Sequence, residues 1–345
     1  CKMLEIIIGR AGTGKTFYCL DKMKKILETS PLQTQIFYLL PAYQTYRAEL
    51  ELANITGGAV NTRMCSFQRF ANQILDEVGG SIVPRISEIG RRLLLRKILI
   101  NRAKDLLYYE RAAKQRGFVE ILAKEIQDLR TYSVDTEKLF ETAANIDDDE
   151  LKNKIHDLAI LYEDFRNSLT DKQNDDSDLI EHAAELIKNS AAIRRAEIFI
   201  DGFIFFDPQQ RKILSEIFKY AKNVYIVLPM DTQIDSRENV TDVGIFNRAF
   251  RTFQILNKIA EEVEVEVKII RCNAPKRFQA PELNFLEQNF FSRVYKMFNA
   301  NTDDLKFVEA VNKRAEVEAV AQDILKLHKK NYRFREIGII ARDET

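Results

Sequence analysis

Three hundred and forty-five residues exceed one average domain, so two or more packed units are expected. The 52 Lys and Arg are matched by 52 Asp and Glu, which excludes a polybasic or polyacidic chain, and a composition 46% hydrophobic and 30% charged is that of an ordinary soluble globular protein. Cys1, Cys19, Cys65 and Cys272 form no C-x-x-C pair, which argues against a local metal knuckle or redox motif, and no apolar run reaches the roughly 18 residues of a membrane span.

The chain therefore reads as cytoplasmic, with no membrane partner. Cys1-Lys2-Met3 leads straight into an apolar stretch, leaving no room for a signal peptide. The missing initiator Met and the stop at Thr345 after an apparent strand read as the edges of a fragment.

The first element is the apolar run Leu4 to Ile8, a buried strand, followed by Gly9-Arg10-Ala11-Gly12-Thr13-Gly14-Lys15-Thr16. Glycines there let successive backbone N–H groups surround a phosphate, and Lys15 and Thr16 open a helix whose N-terminus favours anions. This is a nucleoside-triphosphate cradle, with Lys15 expected on the β/γ-phosphates and the Thr16 hydroxyl on Mg²⁺. Phe17, Leu20, Met23 and Leu27 continue at helical spacing. ATP and Mg²⁺ are the expected ligands.

Gln35 to Leu40 is a second strand, broken by Pro41, and Tyr43 to Ala53 is helical. Val60 to Cys65 is a third strand. Ser66 then caps a helix with Phe67, Phe70, Ala71, Ile74, Leu75 and Val78 on one face. Strand and helix alternate, which predicts a parallel sheet.

From Arg85 to about Ser190 the pattern is helix after helix, a helical insertion in an α/β domain. Its charges segregate. Arg85 to Arg116 holds ten basic and three acidic residues, and Val134 to Glu185 five basic and sixteen acidic. Arg91, Arg92, Arg96 and Lys97 form the basic cluster that either faces DNA or is a solvated helix face; both readings stand at this level. The Asp147-Asp148-Asp149 run reads as loop and helix N-terminal charge rather than a metal site.

At Ala196 the sheet resumes with Glu197-Ile198-Phe199-Ile200-Asp201. An apolar strand ending in an acid sets a carboxylate at the carboxyl edge of the sheet, where Asp201 can hold Mg²⁺ through water. Asp207-Pro208-Gln209-Gln210 opens a helix as a capping box, a structural role that competes with any catalytic one for Asp207. Asn223 to Leu228 is a strand ended by Pro229, Asp231 to Asp242 is a polar loop, and a helix with Phe246, Phe250, Phe253 and Leu256 precedes the strand Val263 to Ile270. Another helix is expected near Leu283 to Phe298. After Asp303, Leu305 to Val311, Arg314 to Lys329 and Ile337 to Ala341 read as strand, helix and strand.

This order resembles the superfamily-1 helicases of the UvrD type and is more closely similar to the AddB/RexB family, the helicase-like nuclease subunits of bacterial AddAB (RexAB) recombination complexes. The stretches that carry the likeness are Ile8 to Thr16, Ser66-Phe67-Gln68-Arg69-Phe70-Ala71, Ile200-Asp201-Gly202-Phe203 with Pro208 and Gln210, Phe285-Leu286-Glu287-Gln288-Asn289-Phe290-Phe291, and Asn312-Lys313-Arg314-Ala315-Glu316-Val317-Glu318. The resemblance implies a P-loop NTPase of α/β class. It has a RecA-like parallel core in two parts (1–84 and 193–300), an all-helical insertion (85–192) and the start of a second RecA-like core (301–345). It also implies DNA partners, single-stranded and at duplex ends, an AddA/RexA-type motor subunit as heterodimer partner, and work in double-strand-break repair. Ser66 and Phe67 would stand where UvrD-type enzymes touch single-stranded DNA, although Phe67 equally suits a core anchor. Arg342 would match an arginine that reaches the γ-phosphate. The family's nuclease domain and four-iron four-sulfur cluster would lie beyond Thr345, with none of the four cysteines here assigned to it.

Three departures from active motors bear on mechanism. Where the Walker B Asp is followed by the Glu that orients the attacking water, and shortly by Gln, this chain has Gly202 and Ile204. The Gly-Asp-x-x-Gln sensor is replaced by Val227-Leu228-Pro229-Met230-Asp231, and no adenine-contacting Gln precedes the first strand. General-base assistance is worth about 10²–10⁴-fold, so ATP is expected to be bound and poorly hydrolysed, with Asp207 the substitute base if it is not. The rival expectations are a fully active superfamily-1 motor and a P-loop phosphotransferase or ATP-gated interaction module unrelated to DNA.

Overall fold

The computed structural model describes residues 3–29, 34–58, 61–79, 86–115, 117–169, 176–233, 244–292, 294–302 and 304–341. The chain divides into two compact units, Cys1–Arg277 and Phe278–Thr345.

In the first unit six strands form one parallel sheet. They are β1 (Met3–Gly9), β2 (Gln35–Leu39), β3 (Thr62–Cys65), β4 (Ala196–Ile200), β5 (Asn223–Pro229) and β6 (Glu266–Arg271), in the order β3-β2-β4-β5-β1-β6. Register runs Ile6 opposite Ile226 and Ile269, Tyr38 opposite Phe199, and Ile200 opposite Ile226. Near-continuous apolar runs make these strands because a parallel sheet is covered on both faces.

The pleat divides them between two cores. Leu4, Ile6 and Ile8, Phe37 and Leu39, Ile198 and Ile200, and Val224, Ile226 and Leu228 point to one face. The helices α3 (Phe67–Val78), α8 (Asp176–Leu186), α10 (Pro208–Tyr220) and α11 (Asn247–Glu262) supply residues to that core. Ile7, Tyr38, Phe199, Tyr225 and Val227 point the other way, onto α1 (Lys15–Thr29) and α2 (Thr45–Thr56). Two acids lie within the layers, and both are paired. Glu5 meets Lys22 at 2.5 Å and Tyr18 at 3.1 Å, and Glu197 meets Tyr225 at 2.9 Å and Lys222 at 3.1 Å. Pairing offsets the desolvation of carboxylates in a sheet interior.

Between β3 and β4 the described residues hold no strand. Helices α4 (Glu88–Arg102), α5 (Phe118–Thr131), α6 (Thr136–Ala144) and α7 (Asp149–Ser168) surround a separate core of Leu95, Leu99, Leu122, Ile126, Leu161 and Phe165. Asp157 is fully buried there, and accepts backbone N–H bonds from Leu107, Tyr108 and Tyr109 at 2.7–3.1 Å, which fixes the loop after α4. Arg102 holds Asp164 through two bonds of 2.6 and 2.9 Å. The helical run was expected over 85–192, but α8 returns to the sheet: Leu179, Ile180, Ala183 and Ala184 belong to the sheet core. A short α9 (Ala191–Arg194) then leads into β4.

The second unit contains α12 (Pro281–Asn289) and α13 (Lys313–Lys329). Asn312 caps α13 by accepting from the Ala315 N–H at 2.9 Å. The helix expected to Phe298 stops at Asn289, and the strands expected at Leu305–Val311 and Ile337–Ala341 are not strands. Neither stretch has a ladder partner among the described residues, and several of their apolar side chains are open, Val311 at 96% and Ile340 at 100% exposure. An extended run without a partner strand has nothing to stabilise it as sheet.

Candidate nucleotide-binding site

The Gly9–Thr16 loop and Asp201 both lie at the carboxyl ends of the strands, where open α/β sheets bind ligands. The Gly9–Thr16 loop leaves β1, Asp201 ends β4, and only β5 separates the two strands. Gly12 and Gly14 hold φ of +75° and +84°, the left-handed values that a phosphate-wrapping turn requires and that glycine adopts without strain. Thr13 Oγ1 donates to the Arg10 carbonyl at 3.0 Å and Lys15 Nζ to the same carbonyl at 2.8 Å, so the loop is closed on itself. Arg10 reaches Asp231 at 3.2 Å and lies over the Phe246 ring.

The decisive pair is Thr16 and Asp201. Thr16 Oγ1 donates to Asp201 Oδ2 at 2.8 Å although 185 positions separate them. Tyr38, on β2 beside β4, donates its hydroxyl to the same Oδ2 at 3.1 Å. Burial pushes the Tyr38 hydroxyl well above its ordinary pKa and the Asp201 charge adds to this, so Tyr38 remains a donor. A hydroxyl and a carboxylate oxygen this close, at the mouth of a glycine-rich loop, are hard donors that could hold a divalent cation such as Mg²⁺. A cleft of about 780 Å³ opens on Thr16, Asp201, Tyr43, Gln44 and Arg47.

Gly202 follows Asp201 with φ of +83°. A Cβ there would lie 2.6 Å from Gln44 Oε1 and 2.9 Å from Pro41 Cδ. The site beside Asp201 is therefore shaped for glycine and filled by Gln44. Asp207 accepts from the Gln210 N–H at 2.8 Å while Gln210 accepts from the Asp207 N–H at 3.2 Å, the complete capping box of α10. Its carboxylate is engaged in holding that helix.

These features coincide with a family signature. The profile of the family described as "ADDB, N-terminal" matches residues 6–287. This chain belongs to the ADDB N-terminal family. Similar proteins include three that are named as the B subunits of ATP-dependent helicase/deoxyribonucleases. The one from Desulforudis audaxviator is 35% identical over 99% of this chain and 30% of its own length, and that from Heliobacterium modesticaldum 33% identical over 99% and 29%. The Bacillus anthracis protein is 32% identical over 99% and 30%. The chain thus spans about 30% of the length of the curated relatives it matches.

The remaining expected contacts of this ADDB-family chain disperse. Phe67 is 2% exposed and packs edge-on against Phe203 and Phe206, so it is a core anchor and not a surface for stacking bases. Ser66 spends its hydroxyl as the N-cap acceptor for Arg69. Arg91 is buried and donates to Gln127 at 3.0 Å, Arg92 is tied to Glu88 and Glu120, and Arg96 donates to the Ala113 carbonyl at 3.1 Å. Lys97 is exposed. Arg92 and Arg96, four positions apart, lie on neighbouring parts of one face, and Arg91 and Lys97 lie to either side of them. Arg342 lies outside the described residues.

Sequence reasoning missed Lys276 and Arg277. Both line the cavity of about 500 Å³ over Gly12, Gly14, Lys15 and Thr16. The segment after β6 carried no motif; its only signal was a pair of cations shortly after a strand of the same sheet.

Proposed function

We propose that this region binds Mg-ATP between the Gly9–Thr16 loop and Asp201, turns it over poorly, and is the helicase-like, DNA-binding N-terminal part of an AddB-type component of a helicase/deoxyribonuclease. The observation that carries the nucleotide reading is the 2.8 Å bond from Thr16 to Asp201 at the mouth of the loop. Thr16 and Asp201 would hold the metal, which supplies charge neutralisation of the β- and γ-phosphates. Lys15 and the loop amides, Gly12 and Gly14 among them, bind and orient the phosphates, and Gly9, Arg10, Ala11 and Thr13 build the loop. One parallel sheet bearing loop and acid, covered by helices on both faces, supports a RecA-like core.

Poor turnover follows from Gly202. An attacking water beside Asp201 meets the Gln44 amide, which orients but takes no proton, and an assisting base is worth about 10²–10⁴-fold. The relatives' name makes them one component of a multi-subunit helicase/deoxyribonuclease, which supports a partner motor of the AddA/RexA type, DNA as substrate, a role in double-strand-break repair and a cytoplasmic setting. No helix among the described residues is long and apolar enough to cross a membrane.

The test is a Mg-ATP titration of the full-length protein and of its Lys15→Ala and Asp201→Asn variants. Binding should fall at least about tenfold in each, the loss expected for a charged phosphate or metal contact, and the Asp201→Asn loss should disappear when Mg²⁺ is withheld. Equal binding by all three proteins would contradict the site.

A further inference from the structure

The segment that follows β6 is laid over the phosphate loop as a strap. Cys272 N–H donates to the Ile8 carbonyl at 2.8 Å, and the N–H groups of Lys276 and Arg277 both donate to the Gly12 carbonyl, at 2.8 and 3.0 Å. Gly9 makes room for it: a Cβ there would stand 2.7 Å from the Cys272 carbonyl oxygen, as well as 2.5 Å from Thr13 Oγ1 of the loop itself, and the Lys276 side chain passes beside Gly14. The strap and the loop are therefore one fitted object.

What the strap brings is charge. Lys276 and Arg277 line the loop cavity with Lys15, and no acid shares that lining. Lys276 Nζ lies 5.0 Å above the Phe17 ring, and neither Lys276 nor Arg277 has a carboxylate within ion-pair distance among the described residues. Arg277 also borders the adjoining cleft that contains Thr16 and Asp201. Three cations held around one cavity repel one another, and backbone bonds keep two of them there. Such an arrangement is stabilised by a multiply charged anion entering between them.

We propose that Lys276 and Arg277 are a second cationic wall of the nucleotide site, holding the polyphosphate together with Lys15 and selecting nucleoside di- and triphosphates over monophosphates. This rests on the reading of the Gly9–Thr16 loop as a nucleotide site and adds residues to it. The wall belongs to the same unit as the loop.

Calorimetric titration of the full-length protein with Mg-ATP, Mg-ADP, AMP and inorganic tripolyphosphate tests it. The variants Lys276→Met and Arg277→Met keep an apolar stem and remove the charge, with Lys15→Ala as control and thermal melting to check the fold. Each Met variant should weaken Mg-ATP and tripolyphosphate about tenfold, the double variant about a hundredfold, and AMP less than about twofold. A double variant that binds Mg-ATP within about twofold of the parent, while Lys15→Ala loses it, would overturn the wall and leave the site standing. A parallel loss for AMP would likewise overturn it, since charge selection would be absent. A parent chain that binds none of the four probes would overturn the nucleotide site and the wall with it.

Discussion

Gly202 is where a single residue decides most. With φ at +83° and the Cβ position occupied by Gln44 and Pro41, no side chain fits without moving α2's entry. Gly202→Glu is expected to destabilise the fold by about 1–3 kcal/mol and to leave turnover at the parent's level, measured by denaturant melts and steady-state phosphate release. Recovery of rapid turnover by that variant would show that the loop adapts and that the missing acid alone limits the chemistry. Asp207 separates cap from base in the same way. Burial pushes its carboxyl above the ordinary carboxylate range, with the backbone bonds from Gln210 and Gln209 pulling partly back. A raised folded-state value means that the folded chain holds this proton more tightly than the unfolded one. The contribution to stability is therefore present below the ordinary carboxylate pKa and is lost as pH rises through the raised value. Asp207→Asn keeps the cap acceptor and abolishes that titration, so it should flatten stability across this window and leave turnover unchanged. Asp207→Ala should cost about 1 kcal/mol in chemical denaturation. The thiols offer a third check at this scale. Burial pushes Cys65 up to about 12 and Cys19 well above its ordinary value, whereas at half-buried Cys272 the neighbouring Lys15 and Lys276 oppose the rise. Alkylation near pH 8 followed by peptide mapping should modify Cys272 before Cys19 or Cys65, which wait for unfolding.

At the scale of elements, α3 and α4 carry the sharpest contrast between pattern and placement. The stripe Phe67, Phe70, Ala71 and Ile74 was legible because one amphipathic face covers one sheet, and the structure buries all four. The same burial removes Phe67 from any DNA surface. Phe67→Ala should cost about 3–5 kcal/mol of stability, as measured by thermal or denaturant unfolding, as a core truncation does. Single-stranded DNA affinity of the folded remainder should stay unchanged. In the basic cluster on α4, Glu88, Glu120, Gln127 and the Ala113 carbonyl answer three of the four cations, local pairings that the run of charges does not state. Central strands were legible as apolar runs, and the capping box of α10 as Asp207 with Gln210. The stretches Leu305–Val311 and Ile337–Ala341 show the opposite limit, because apolar composition alone cannot tell a chain whether a neighbouring strand is present.

At the scale of the whole molecule, function depends on contacts that no local pattern states. The Thr16–Asp201 bond spans 185 positions, and could be anticipated only because both ends carry recognisable chemistry, a phosphate loop and a strand-terminal acid. The strap of Cys272 to Arg277 spans a longer interval and carries no motif, so it became visible only when β6 was seen to pair with β1 and to deliver the next segment across the loop. The return of α8 to the sheet is of the same kind, since its apolar face reads alike whether it covers a sheet or another helix. These features together support the proposed reading of the Gly9–Thr16 loop and Asp201 as a nucleotide site, with Gly202 where an active motor has its acid. The most direct test is ATP turnover by the full-length protein purified alone, with and without single-stranded DNA, alongside a binding titration and the Lys15→Ala control. Tight Mg-ATP binding that Lys15→Ala abolishes, with negligible turnover in either condition, is the predicted result. DNA-stimulated turnover at the rate of an active helicase, lost in Lys15→Ala, would contradict it and make this region a motor with an unconventional base.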